Sequence, residues 1–160
     1  MLKVVDAHYM DAIALAPRLR EIDNLEVKCI GHTPESALLQ GFELPEAKVL
    51  TALDGDEEAV LMCGVCRSDE DPEAGVIWML ASDDIDKHKK DFLRLSEPVA
   101  DELSEGYKYV YNLVHKDNTK SIRWLRWNGF TVDETKVYDQ GGEDFYLLTR
   151  ENKKCVAHQQ

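Results

Sequence analysis

The chain has 160 residues, 44% of them apolar and 31% charged, a balance that favours one globular domain with a sizeable core. Its formal charge of −12 leaves no basic face for DNA or RNA, so no nucleic-acid partner is expected. The same charge suits a cationic acceptor such as an amine, a plain solvated surface, or an acidic mimic that blocks a basic partner.

No apolar run approaches the ~20 residues of a membrane span, so no membrane partner is expected. The start, Met1 to Asp6, lacks the basic head and long apolar stretch of a secretory signal, which makes the cytoplasm the expected location. In chain order, Leu2 to Val5 reads as a short strand. Ala7 to Arg20 reads as a helix that Pro17 bends or ends. Thr33-Pro34-Glu35 is an N-cap followed by proline in the first turn, and the second helix should run to about Phe42. Two apolar runs, Ala47 to Leu53 and Glu58 to Arg67, flank the turn Asp54-Gly55-Asp56 and predict a hairpin. Gly75 to Ala81 is apolar on both faces, the pattern of a central strand. A helix is expected from about Asp86 to Leu103, kinked at Pro98, with Ser96 able to cap a restart. Tyr107 to Val114 reads as a buried strand. Phe130 to Tyr138 and Asp144 to Thr149 read as a closing hairpin around Gly141-Gly142. One domain is expected over residues 1–150, followed by a polar tail at 151–160.

Cys29, Cys63, Cys66 and Cys155 raise the question of a metal. Cys63 and Cys66 have C-x-x-C spacing inside a predicted strand, where residues three apart point to opposite faces. No second pair completes a tetrahedral set, so buried free thiols and no metal centre are expected.

The segment Asn118 to Phe130 is the most specific in the chain. Asn118 is a good N-cap, Ser121 follows one turn later, and Gly129 stands where a helix ends in a left-handed residue. This predicts a capped two-turn helix between strands, whose N-terminus can polarise a ligand. The layout, with Asn followed by a small residue at the third position and Gly-Phe at the eleventh and twelfth, resembles the last helix of the GCN5-related N-acetyltransferases. The element order, β-α-α-β-β-β-α-β-α-β-β, is also theirs. The resemblance implies an α/β (α+β) fold with a mostly antiparallel central sheet flanked by helices, and acetyl-coenzyme A as co-substrate.

On that resemblance the fourth and fifth strands, here Gly75 to Ala81 and Tyr107 to Val114, splay to admit the pantetheine arm. Backbone groups of Met79, Leu80 and Ala81 then hold it and polarise the thioester carbonyl. Asn112 is an amide in an otherwise apolar strand; it either faces the cleft or is satisfied structurally. The family's glycine-rich pyrophosphate loop is absent, since Ser82-Asp83-Asp84-Ile85-Asp86 follows Ala81. Either Lys87, His88, Lys89 and Lys90 supply the positive charge, or this is an Asp-capped first turn in solvent. Arg123 or Arg126 can reach a coenzyme phosphate, while Trp124 and Trp127 are expected to pack on the sheet. Where many relatives carry an acidic Tyr, seven residues after the Asn, this chain has Leu125; Ser121, Asn118 or water would have to replace it. Asp23, Glu26 and His115 are candidate general bases, each weighed against being merely exposed.

Three further segments, Trp78 to Asp83, Phe92 to Ser96 and Ser121 to Leu125, resemble small acetyltransferase-like proteins of tailed bacteriophages, a group similar to the internal virion protein A of T7-like phages. That implies a phage origin, expression in a bacterial cytoplasm and packaging in a virion as one destination. The expected activity is direct acetyl transfer from acetyl-coenzyme A to an amine (a protein lysine, an N-terminus or a small amine), with Asn118, Ser121 and Asn112 as catalytic candidates. The alternative is a non-catalytic protein of the same fold, a virion component or an inhibitor of a host protein.

Overall fold

The computed structural model describes residues 1–153; Cys155 and most of the predicted polar tail lie outside the described residues. Seven strands form one sheet in the order β1-β2-β3-β4-β5-β7-β6. They are β1 (Lys3–Asp6), β2 (Lys48–Leu53), β3 (Ala59–Arg67), β4 (Ala74–Ala81), β5 (Tyr109–His115), β6 (Thr131–Gln140) and β7 (Glu143–Glu151). The sheet is mostly antiparallel, as expected, and β4 with β5 is its parallel pair among the described strands.

Helices lie on both faces. Strand alternation sends Trp78 and Leu80 to one side of β4 and Ile77, Met79 and Ala81 to the other, so two apolar clusters form. The first gathers α1 (Tyr9–Leu15), α2 (Glu21–Cys29) and α3 (Pro34–Glu43) through Leu15, Val27, Leu38, Met62 and Leu80. The second gathers α4 (Lys89–Ser104) and α5 (Thr119–Trp127) through Ala100, Leu103, Ile122 and Leu125 against Leu50, Leu61 and Val110. This double burial explains why β4 is apolar throughout.

Local signals account for most boundaries. Thr33 and Ser36 form a reciprocal capping box with Pro34 at the first helical position of α3. Asp54 Oδ1 accepts from the amides of Asp56 (2.9 Å) and Glu58 (3.0 Å), closing the β2–β3 turn.

Two expectations need correction. The single helix from Ala7 to Arg20 is instead α1, a 3₁₀ turn at Ala16–Arg18 holding Pro17, an extended step at Leu19 and Arg20, and then α2. Leu19 bridges to Ser82 at the end of β4, so the break is tied to the sheet. Nor does Pro98 restart α4: the helix is continuous, and Ser96 Oγ bonds Leu93 O and Asn128 Oδ1, both at 2.9 Å, rather than capping. No helix of the described residues is long and apolar enough to cross a membrane.

Candidate active site

β4 and β5 pair only from Ala74 to Val76 against Tyr109 to Tyr111, then part. Asn112 stands at the fork. Its Nδ2 donates to Ile77 O at 2.6 Å and its Oδ1 accepts from Leu113 N at 2.7 Å, so this amide is satisfied structurally where the ladder ends. Of the two roles left open for Asn112, the geometry supports the structural one.

Beyond the fork the peptide groups alternate. Those of Ile77 and Ala81 point toward β5, as their partners Asn112 and Arg20 require. Met79, midway between them, therefore turns its N–H and C=O into the gap. Leu80 turns its own toward β3, opposite Met62. Ala81 is already engaged: its N–H donates to Asp23 Oδ2 at 3.0 Å and its O accepts from Arg20 N at 2.9 Å. Of the three backbone positions expected to meet a pantetheine arm, only Met79 presents both groups to the gap.

The start of α2 is latched to this strand end. Asp23, 1% exposed, takes a bidentate contact from Arg20 at 2.8 and 3.0 Å in addition to the Ala81 amide. Arg20 Nη2 also donates to Ser121 Oγ at 3.4 Å. One turn further along α2, Glu26 Oε1 accepts from Asn118 Nδ2 (3.0 Å) and His115 N (3.1 Å). Burial pushes the Glu26 carboxyl above its ordinary range, partly offset by the Asn118 and His115 hydrogen bonds.

Asn118 is the N-cap of α5, as expected, its Oδ1 accepting from Ser121 N at 3.4 Å. With Nδ2 on Glu26, both ends of this amide are engaged within the protein. His115 is buried; its Nδ1 accepts from Asp117 N at 3.0 Å, leaving Nε2 as the proton-bearing nitrogen. Nε2 lies 3.4 Å from Glu143 Oε1 without the alignment of a hydrogen bond, and on the β7 side rather than in the gap. Of the three candidate bases, Asp23 is spent on the latch and His115 faces away, which leaves Glu26.

A continuous cavity of about 330 Å³ passes through the sheet at the gap. On the α2–α3 side its rim carries Glu26, Ile30, Gln40 and Gln140; on the α5 side it meets Asn118, Ser121, Trp124 and Leu125. The β6–β7 tip closes on the end of α2: Gly141 has φ +59°, and a Cβ there would sit 2.8 Å from Cys29 O. After burial, the carboxylates of Glu143, Glu26 and Asp139 raise the Cys29 thiol against the lowering by Lys28, so carboxylates outnumber cations around the α2–α3 mouth.

The α5 side offers one unmet donor. Trp124 stacks on Phe92 at 4.9 Å, and its indole Nε1 is buried with no acceptor among the described residues. A buried N–H left unpaired costs about 1–3 kcal/mol unless a guest supplies an acceptor. Leu125, in the place of the relatives' Tyr, is a core residue. Trp127 is 74% exposed rather than packed on the sheet.

The expected phosphate end differs from a glycine cradle. Ser82 Oγ caps Asp84 N at 3.2 Å and a 3₁₀ turn spans Asp83–His88. Asp84 pairs with Arg18 (3.3 Å) and Lys87 (3.1 Å), and Asp86 with Lys120 (3.5 Å). Lys87 is thus already paired, and His88 lies at the junction with α4. Lys89, Lys90 and Arg123 are exposed with no ion pair among the described residues. Arg126 is turned to Val132 O (3.3 Å) and Glu134 (3.0 Å) at the head of β6. The donor set therefore fits the amide-bearing arm of coenzyme A, through Met79 and Trp124, while the turn expected at the pyrophosphate carries Asp83, Asp84 and Asp86 and no glycine. Cys63 and Cys66 are free thiols on β3, and burial pushes Cys63 up to about 12.

Sequence reasoning missed α2, which carries Asp23 and Glu26. Its signals were Ile22, Leu25 and Cys29 at helical spacing, and Gly31 at φ +82° just past the end.

No family model matches the sequence, and no curated protein matches it. Solved structures match the fold over nearly its full length. A GCN5-related N-acetyltransferase from Kribbella flavida aligns at TM-score 0.69 and 17% identity, covering 94% of this chain and 97% of that one. AAC(6')-Ib in complex with ribostamycin and coenzyme A aligns at 0.70 and 10%, covering 99% and 98%. A chimera of spermidine N-acetyltransferase SpeG from Vibrio cholerae and hSSAT aligns at 0.67 and 12%, covering 97% and 98%. With its order of elements, its seven-stranded sheet and its forked fourth and fifth strands, this chain has the fold of the GCN5-related N-acetyltransferases.

Proposed function

We propose that the protein transfers an acyl group from a coenzyme A thioester, acetyl-coenzyme A on the sequence reading, directly to a cationic amine. The observation that carries this is the parting of β4 from β5, with the Met79 peptide turned into the gap beside a half-buried carboxylate, Glu26. Glu26 first takes a proton from the cationic amine, directly or through one water, and so frees the nitrogen lone pair. The Met79 N–H stabilises the oxyanion as that nitrogen bonds to the carbonyl carbon. The C–S bond then breaks, and the thiolate takes the proton that the attacking nitrogen sheds, relayed on the α5 side by the Ser121 hydroxyl or water. Asn118 acts in this scheme by holding Glu26, and Asn112 by fixing the fork.

The acidic mouth, joined by the negative end of α2, supports a cationic acceptor. Spermidine and ribostamycin, named with two structural neighbours, are amines of that class. Lys89, Lys90 and Arg123 are the side chains proposed for the phosphates. A tailed-phage origin and a bacterial cytoplasmic setting belong to the same reading, on the segments Trp78 to Asp83, Phe92 to Ser96 and Ser121 to Leu125.

A second reading, a non-catalytic protein of this fold acting as a virion component or host inhibitor, is favoured by the engaged Ala81 amide and by Leu125. Thiol release from acetyl-coenzyme A with spermidine, an aminoglycoside and a lysine peptide separates the two. The transferase reading predicts release above background that Glu26→Gln cuts by ~10²–10⁴-fold. No release with any acceptor, and no coenzyme binding, supports the second.

A further inference from the structure

The cavity is larger than the gap itself. Past Met79 it continues under α4 toward the sheet edge, floored by Val4, Leu50, Ala52 and Cys63 and roofed by Leu95 and Val99. Natural interiors close to near-crystalline density, so unfilled space walled by aliphatic carbon is unusual. Here α4 is braced over it. Asp91 Oδ2 takes the Leu2 amide at 2.9 Å at one end, and Glu102 pairs with Lys48 at 3.4 Å while Asp101 pairs with Arg150 at 2.6 Å at the other. Between these braces the polar side chain on the wall, Ser96, is already bonded to Asn128 and Leu93. The Cys63 thiol stays protonated.

An amide-bearing pantetheine arm is a poor occupant for this extension, because its N–H and C=O groups would be buried without partners. An alkyl chain loses nothing there. Resting on the acyl-transfer reading, we propose that the extension under α4 is an acyl pocket, and that the donor carries an aliphatic acyl chain longer than acetyl. β2 lies two strand spacings from β4, roughly 9–10 Å. At a C–C bond length of about 1.5 Å an extended chain advances about 1.25 Å per bond, so about eight to nine carbons cover that distance.

Calorimetric titration of the full chain with coenzyme A and its acetyl, butyryl, hexanoyl and octanoyl thioesters tests this. Affinity is expected to rise by up to about fourfold per methylene from acetyl to hexanoyl, with an increasingly negative heat-capacity change. Val99→Phe and Val4→Phe, which fill the extension from opposite walls, shift the best-bound chain to a shorter one; circular dichroism confirms which variants fold. Acetyl-coenzyme A binding as tightly as the hexanoyl thioester overturns the acyl pocket and leaves the transfer reading standing. Unchanged chain preference in the folded variants overturns the pocket's location. Failure of every coenzyme species to bind overturns both.

Discussion

Replacing Asp23 with Ala tests the latch that sets the cleft's α2 wall. Its carboxylate, 1% exposed, is bonded three times: by Arg20 Nε at 2.8 Å, Arg20 Nη2 at 3.0 Å and the Ala81 amide at 3.0 Å. Removing it leaves a guanidinium only 14% exposed without its counter-charge, and a strand amide without an acceptor. Breaking a buried ion pair from one side costs about 3–5 kcal/mol, a large part of the ~5–15 kcal/mol by which domains are stable. For a chain of this size the loss corresponds to a fall in Tm of ~6–20 °C. Asp23→Asn keeps the shape and one acceptor, and should lose about 1.5–3 kcal/mol, the worth of a charge-assisted hydrogen bond. Arg20→Ala combined with Asp23→Ala should cost less than the sum of the single losses, because each single change orphans the other partner. Urea unfolding of wild type, the two Asp23 variants, Arg20→Ala alone and the double variant measures all three quantities. A loss below ~1 kcal/mol for Asp23→Ala would refute the latch.

Glu26 gives a pH signature of its own. Burial raises its folded pKa above the ordinary 4.5, so folding favours the protonated acid. That stabilisation is present below the unfolded pKa and is lost as pH rises through the folded one. Glu26→Gln should therefore gain stability relative to wild type as pH rises from about 4.5, read by urea unfolding across pH, and a difference that stays flat contradicts the assignment. Asn118→Ala should cost about 1 kcal/mol as a lost cap. By removing a donor from the Glu26 carboxylate it should also move the acidic limb of the pH–rate profile upward; an unmoved limb would leave Asn118 a cap only. Gly64→Ala puts a Cβ 2.7 Å from Lys48 O and 2.8 Å from the Trp78 ring, and should cost about 1–3 kcal/mol by denaturant unfolding. Gly55→Ala, with nothing within 4 Å, is the control and should stay within ~0.5 kcal/mol.

Much of the fold was legible because its signals are local. Thr33-Pro34, Asp54-Gly55-Asp56, Asn118 and Gly129 each satisfy backbone groups within a few residues of themselves, and each marks its boundary correctly. α2 was not legible in that way. Arg20 gives it no side-chain cap, and its charged residues look outward until the sheet end at Ala81 supplies their partner. The site followed the same division. Asn118 announced itself as a cap, but its second bond, to Glu26, joins residues 92 positions apart. Asn112 read as an oddity in an apolar strand, and only the fork at Ile77 explains it. The engaged Ala81 amide depends on a turn between α1 and α2 that periodicity alone runs together.

The proposed function requires that the forked strands admit a coenzyme A thioester onto the Met79 peptide. Titrating isotopically labelled protein with coenzyme A and its thioesters, while following backbone amide resonances, tests it residue by residue. A saturable shift of the Met79 amide together with the Trp124 indole N–H is expected, with about 2.7 kcal/mol of added stability at a hundredfold excess over Kd. Amides along β4 that stay in place at millimolar coenzyme would contradict it.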